Sequence, residues 1–201
     1  MIRTLKTWAR QLMYRPSGVD LGPGALVRRP WTISHPQHVR IGRDSTVGRR
    51  VILNALRQDG GRPLAGQIDI GEDVYLGHDC QIHAMQTLRI GRGCVLSDRV
   101  YLNDASHGMD PRAGLIMRQP IHSKGPITIE EHSFLGLGAV VMPGVVIGHH
   151  SVIGAMSVVT RSVPPGSMLA GNPARVIKTL DFETGRWCDV PDRARPAGAV
   201  R

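Results

Sequence analysis

Aromatic residues are scarce in this chain. Three Trp, three Tyr and two Phe make up 4% of its 201 residues. A core with so few rings has to be layered from small and branched aliphatic side chains. Cysteine is scarce too, present only as Cys80, Cys94 and Cys188. The odd number and the lack of Cys-x-x-Cys spacing exclude a disulfide framework and a thiolate metal site, and they point to a reduced, cytoplasmic setting. No apolar run approaches the roughly 18 residues that cross a bilayer. The first fifteen residues interleave Arg3, Lys6, Arg10 and Arg15 with their apolar residues and do not read as a secretory leader. By contrast, 41% of the residues are hydrophobic, which excludes a disordered polar chain. The 24 Gly and 14 Pro punctuate too densely for a helical bundle and favour short strands joined by tight turns. The 25 Lys and Arg against 16 Asp and Glu leave a net charge of +9, which suits an anionic partner such as a phosphorylated small molecule. With few rings for base stacking and no recognition motif, nucleic acid is disfavoured.

A repeat of six residues organises the rest. Ile129, Leu135, Val141, Ile147, Ile153 and Val159 are aliphatic at that spacing. A second column of mostly small residues precedes them by two positions, as Ser133, Ala139, Val145, Ser151 and Ser157. Earlier stretches repeat the pattern with Ile41, Val47 and Leu53, then Ile70, Leu76 and Ile82, then Ile90, Leu96 and Leu102. The step from Ile82 to Ile90 places a short bulge near Met85. Period six matches neither a helix nor a plain strand. It does match three short strands per coil, stacked as a parallel β-helix whose coils lie about 4.8 Å apart. The aliphatics fill a triangular interior, glycines such as Gly136, Gly148 and Gly154 are expected to serve tight corners, and five to six coils are expected from Ile33 to Val163. The spacing divides the chain into an N-terminal segment 1–30, a repeat domain 31–178 and an irregular tail 179–201. Two excursions interrupt the repeat, 54–67 and 104–126, and excursions from a rigid scaffold are where function concentrates. Residues 1–15 carry helical spacing (Ile2, Leu5, Trp8, Leu12). They read as a helical cap over the open end of the coils, or as a weak peripheral contact with anionic lipid.

On these hexads, over roughly residues 33–178, the chain resembles the hexapeptide-repeat acyltransferases, in particular their sugar and lipopolysaccharide O-acetyltransferase branch. The resemblance implies an all-β fold, a left-handed parallel β-helix with a short N-terminal helix. It also implies acetyl-CoA as acyl donor, a saccharide hydroxyl as acceptor, and a homotrimer with each active site between adjacent β-helices.

The second excursion opens with Asn103-Asp104-Ala105-Ser106-His107-Gly108. Relatives often have Asp-His-x-His-Gly here, so Asp104, His107 and Gly108 match and Ala105 departs from the pattern. The resemblance makes His107 the general base. Physical chemistry agrees, because attack of a hydroxyl on a thioester needs a base that titrates near neutrality, and histidine does. Asp104 is a candidate to orient the imidazole. The small residues Gly138, Ala139 and Ala155, with Thr160, are implied contacts for the pantetheine arm. Gly171-Asn172-Pro173-Ala174-Arg175 is implied to turn over the last coil at the adenine end, and Arg161, Arg175 and Lys178 offer cations for the donor's phosphates. His83, Asp110, Arg112 and Lys124 are candidate acceptor contacts. His78 and His83 also resemble part of the three-histidine zinc site of γ-class carbonic anhydrases. The third position is Asn54, so no metal is expected. Three other readings stay open: an antibiotic or amino-sugar acetyltransferase, a metal-dependent hydratase on the same fold, and a β-helix that serves only in assembly.

Overall fold

The computed structural model describes residues 18–190. The expected N-terminal helix and its lipid contact, at residues 1–15, lie outside the described residues, as does the end of the tail.

The described chain winds into stacked coils of three short strands. The first coil holds β1 (Asp20–Leu21), β2 (Leu26–Val27) and β3 (Thr32–Ser34), and the second β4 (Val39–Ile41), β5 (Thr46–Val47) and β6 (Ile52–Ala55). A hairpin of β7 (Gln58–Asp59) and β8 (Arg62–Pro63) leaves the stack and returns. The third coil is β9 (Gln67–Ile70), β10 (Tyr75–Leu76) and β11 (Gln81–Ala84), and the fourth β12 (Thr87–Ile90), β13 (Val95–Leu96) and β14 (Tyr101–Asn103). After the long excursion come β15 (Ile127–Ile129), β16 (Phe134–Leu135) and β17 (Val140–Val141), then β18 (Val146–Ile147), β19 (Val152–Ile153) and β20 (Val158–Val159). The last strands among the described residues are β21 (Ser167–Ala170), β22 (Arg175–Asp181) and β23 (Arg186–Asp189).

Strands of successive coils pair in parallel and form three walls. One is β1-β4-β9-β12-β15-β18, the second starts β2-β5-β10-β13-β16-β19, and the third is β3-β6-β11-β14-β17-β20. The register follows the hexads. Leu76 pairs with Val47 and Leu96, and Ile82 with Leu53 and Leu102. Each of these aliphatics points inward and is fully buried. The small column is buried as well, and it does more than save space. Ser45 Oγ donates to the Gly71 carbonyl at 2.8 Å and accepts the Val74 N–H at 3.0 Å, so its hydroxyl ties one coil to the next. Cys80 and Cys94 donate their thiols to Ser97 and Glu130 carbonyls, and burial pushes both thiols up to about 11.

Three expectations change. Among the described residues the coils begin at Asp20, within the segment assigned as a cap, and they number six, inside the expected range of five to six. Leu21, Val27 and Ile33 already carry the six-residue spacing. The 3-10 turn at Pro36–His38 inserts residues before Ile41 and hides the phase. The tail is not irregular up to residue 190. Strands β22 and β23 fold back antiparallel on β21 and extend the second wall, giving its exposed edge a partner. Finally, the glycines after the aliphatics answer to close approach. A Cβ on Gly148 would meet the Pro165 nitrogen at 2.3 Å. The left-handed corner conformation is instead taken largely by polar residues such as Asp44, Arg50, Asp73, Asp79 and Arg99.

Because the interior is a stack of interlocked aliphatic layers, truncating one side chain leaves a void that its neighbours cannot fill. Leu96→Ala is expected to cost about 2–5 kcal/mol in urea unfolding, whereas the exposed Arg92→Ala should stay within about 0.5 kcal/mol.

Candidate active site

The third wall carries the polar residues of the site. On the other two walls the residue after the inward aliphatic is usually glycine. On the third it is Asn54, His83 and Asn103, which pair in register across β6, β11 and β14. Their side chains face outward and line a groove of about 260 Å³, together with Leu56, Tyr101, Ala105, Ser106, His107 and Ile121. Asn54 Nδ2 lies 3.5 Å from His83 Nδ1, and the His83 and Tyr101 rings are 5.8 Å apart. Burial holds the His83 imidazole below its ordinary value of 6.5, so it stays neutral and accepts hydrogen bonds at neutral pH.

His107 sits at the mouth of this groove on the long excursion. The excursion closes at its neck, where Ser106 and His122 exchange backbone hydrogen bonds of 2.8 Å. Gly108 N–H donates to the Pro120 carbonyl, so the backbone on both sides of His107 is held while its side chain is exposed. The buried Gln119 amide pins the outer part of the loop. Its Oε1 accepts the Asp110 N–H at 3.0 Å, and its Nε2 donates to the Asp110 and Gly114 carbonyls. The two excursions are tied together. Asp59 accepts the Ile121 N–H at 2.9 Å, and Arg62 donates to the Ile121 carbonyl while pairing with Asp59 at 3.2 Å. The smaller hairpin therefore holds one lip of the groove.

Asp104 does not face the imidazole. It is fully buried, and its carboxylate accepts the N–H groups of Met85 and Gln86. These N–H groups belong to the bulge between β11 and β12, which breaks the coil and leaves donors in need of acceptors. Burial raises the Asp104 carboxyl above the usual range, and the two backbone hydrogen bonds offset part of that. Asp104, the candidate to orient the His107 imidazole, instead stabilises the scaffold on which that imidazole is mounted.

The other candidates divide. Gly138, Ala155 and Thr160 lie on later coils, Gly138 and Ala155 at the corner between the second and third walls and Thr160 just after β20. Ala139 is withdrawn from the surface. Its methyl is buried in the core, its N–H donates to Gly136 and its carbonyl accepts from Tyr101. The turn 171–175 packs on the third wall, where the Val158 N–H donates to the Gly171 carbonyl and the Ala174 N–H to the Val158 carbonyl. Arg161 and Arg175 are exposed, and Lys178 pairs with Asp189 at 3.4 Å. Asp110 and Arg112 pair with each other at 3.2 Å on the outer loop, and Lys124 is exposed near the end of the excursion. None of these three is among the residues that line the groove. His78 Nδ1 accepts the Arg49 N–H at 2.8 Å, and His78 is not among the residues that line the groove with His83. Among the described residues no group of three or more His, Cys, Asp or Glu could hold a metal ion. Sequence reasoning missed Tyr101, Asn103, Ser106 and Ile121. The first two were within reach of it, since Asn103 fills a position where the other walls have glycine and Tyr101 is the outward residue of the same strand.

A fold of hexad coils with an imidazole on a braced excursion defines a class, and comparison with known proteins names it. Residues 126–161 match the family model described as bacterial transferase hexapeptide (six repeats). A Dictyostelium discoideum protein named as an acetyltransferase is 33% identical over 69% of this chain and 70% of its own length. An Escherichia coli K12 protein named for O-acetyl transfer in lipopolysaccharide biosynthesis is 29% identical over 81% of this chain and 82% of its own. Galactoside O-acetyltransferase of the same organism is 34% identical over 57% of this chain, which spans about half of that relative, 55%. The N-acyltransferase AntD of Bacillus cereus, solved with a dTDP-amino sugar and coenzyme A, shares the fold. Its TM-score is 0.72 at 19% identity, over 87% of this chain and 90% of that one. The chain belongs to the hexapeptide-repeat acyltransferases, and its fold is their left-handed parallel β-helix.

Two outcomes follow from the placement of these side chains. Asp104→Ala would strip the partly buried Met85 and Gln86 N–H groups of their acceptor and should cost about 1–3 kcal/mol in chemical denaturation, whereas His107→Ala should leave stability within about 0.5 kcal/mol. The folded state binds the His83 proton less readily than the unfolded chain does. The stability this confers is complete above 6.5 and is lost as the pH falls through the lowered value. His83→Gln should flatten that acid limb in melting curves recorded from neutral to mildly acidic pH.

Proposed function

We propose that the protein is an acetyl-CoA-dependent O-acetyltransferase that acts on a saccharide hydroxyl, with His107 as general base. One observation carries the reading: an exposed imidazole, its backbone braced on both sides, stands at the mouth of a polar groove on the third wall. That same wall continues through β17 and β20 to the turn 171–175. Acceptor and donor then lie along one face, with the reacting atoms between them.

The chemistry needs only this arrangement. An imidazole nitrogen of His107 takes the proton from the acceptor hydroxyl as its oxygen attacks the thioester carbonyl. The C–O bond forms and the carbonyl electrons move to oxygen. On collapse the C–S bond breaks, and the thiolate leaves with its own electron pair or takes the proton back from the imidazolium. Gly138 and Ala155 allow close approach of the pantetheine arm, with Thr160 beside them. Arg161, Arg175 and Lys178 supply cations for the phosphates, each contact worth about 1–3 kcal/mol where water is excluded. His83 serves the acceptor. Asp110, Arg112 and Lys124 would reach only an acceptor that extends beyond the groove.

The relatives named for galactoside and lipopolysaccharide O-acetylation support a hydroxyl acceptor in surface-polysaccharide chemistry. AntD, an N-acyltransferase solved in complex with a dTDP-amino sugar, keeps an amino-sugar acceptor as the second reading. A homotrimer is supported by the outer face of the second wall. Tyr75, Val95 and Phe134 follow one another there in register and are exposed, as expected of a surface that packs against another protomer. A cytoplasmic setting is supported by three free cysteines, of which two are buried. Among the described residues no helix is long and apolar enough to cross a membrane.

A thiol-release assay with acetyl-CoA against sugars, nucleotide-sugars, amino-sugars and antibiotics tests the proposal. A neutral or charged sugar should support turnover, and His107→Ala should lower it by about 10²–10⁴ with acetyl-CoA affinity retained. Full activity in His107→Ala, or turnover confined to amines, would overturn it.

A further inference from the structure

We propose that the Tyr101 hydroxyl is a directed hydrogen-bond donor that selects the acceptor, by holding an oxygen next to the one that reacts. The inference rests on the saccharide reading above and goes beyond it to name the feature of the sugar that is recognised.

Three linked hydrogen bonds carry it. Asn103 follows the last inward aliphatic of the fourth coil and stands where the long excursion begins. The Ala105 N–H donates to Asn103 Oδ1 at 2.9 Å. A backbone N–H only donates, so this contact fixes which end of the amide is oxygen. The opposite end, Nδ2, then faces the Tyr101 hydroxyl at 2.9 Å and donates to it. A phenol oxygen that accepts there keeps its own proton for another partner. Both Tyr101 and Asn103 line the groove that His107 also lines. The phenol proton is thereby offered to whatever occupies that groove. A sugar hydroxyl or ring oxygen satisfies it, and an acceptor that lacks that oxygen leaves it unpaired. His83, 5.8 Å from the Tyr101 ring, adds a second flat surface, and its neutral imidazole and the Asn54 amide complete a wall suited to a ring bearing several hydroxyls. The groove belongs to β6, β11 and β14, below the coils proposed for the donor, so this proton falls on the acceptor side.

Asn103 acts through Tyr101 and is a positioning residue. Asn103→Asp makes the distinction visible. A carboxylate still accepts the Ala105 N–H, but it also accepts the phenol O–H, which turns the proton away from the groove without removing the tyrosine.

The experiment takes the pyranoside that gives the fastest thiol release and compares it with its monodeoxy analogues, in the wild type, Tyr101→Phe and Asn103→Asp. Tyr101→Phe should lower kcat/KM for the parent sugar about tenfold with the KM for acetyl-CoA unchanged. One monodeoxy analogue should show that same loss with the wild type, and Tyr101→Phe should then cost it less than twofold more. Asn103→Asp should reproduce Tyr101→Phe on the parent sugar, with an unchanged melting temperature. An equal loss on every analogue, no loss at all, or full activity in Asn103→Asp would overturn the inference while leaving His107-dependent acetylation intact. If no pyranoside supports His107-dependent thiol release, the saccharide reading fails and this inference with it.

Discussion

The structure depends on one constraint, the parallel hydrogen-bond ladder between successive coils. A short strand of the stack finds its N–H and C=O partners in the neighbouring coils, because two or three residues cannot satisfy those groups within one coil. The Gly77 N–H donates to the Leu96 carbonyl, the Ser97 N–H to Leu135 and the Gly136 N–H to Ile153, so the contacts run up a wall rung by rung. That ladder admits one register only. A slip of one residue would turn Leu76, Leu96 and Leu135 outward together, and the hydrophobic interior would be lost on that wall. The period of six is the sequence's record of this requirement.

A regular ladder also explains where irregularity is affordable. The bulge at Met85 and Gln86 leaves two N–H groups without coil partners, and Asp104 is placed to receive both. The excursion that begins at Asp104 can therefore leave a wall that is already satisfied, and it is braced again at its neck by Ser106 and His122 and at its lip by Asp59 and Arg62. The rigidity of the His107 mounting comes from hydrogen bonds that do not involve its imidazole. The residue that looked most like a catalytic partner belongs to this bracing, and the residues that shape the groove come from three different coils.

Much of this was legible beforehand. The hexads revealed the β-helix, both excursions and the aliphatic interior, since period six is incompatible with other regular structure. The first coil is hidden in the sequence, although Leu21, Val27 and Ile33 keep the spacing, because the turn at Pro36–His38 throws the next coil out of phase. The hairpin of β22 and β23 was not legible at all. Its residues follow no hexad, and only the open edge of β21 gives them a reason to pair. His107 could be singled out as a residue type at a loop boundary. The direction in which Asp104 points could not, because the donors it satisfies arise only once the coil has closed around Met85.

By itself, then, the sequence determined the periodicity, and with it the stacking, the interior and the places where the chain leaves the stack. Those follow from local alternation of aliphatic and polar residues, which any winding of this chain must respect. The tertiary structure alone decided which residues share a groove. Asn54, His83 and Asn103 are separated by 29 and 20 residues along the chain and meet through strand register, and the Tyr101 hydroxyl proton is directed by an amide that a loop backbone holds in place. Contacts of that kind depend on distances across coils, and these exist only when the whole prism is built.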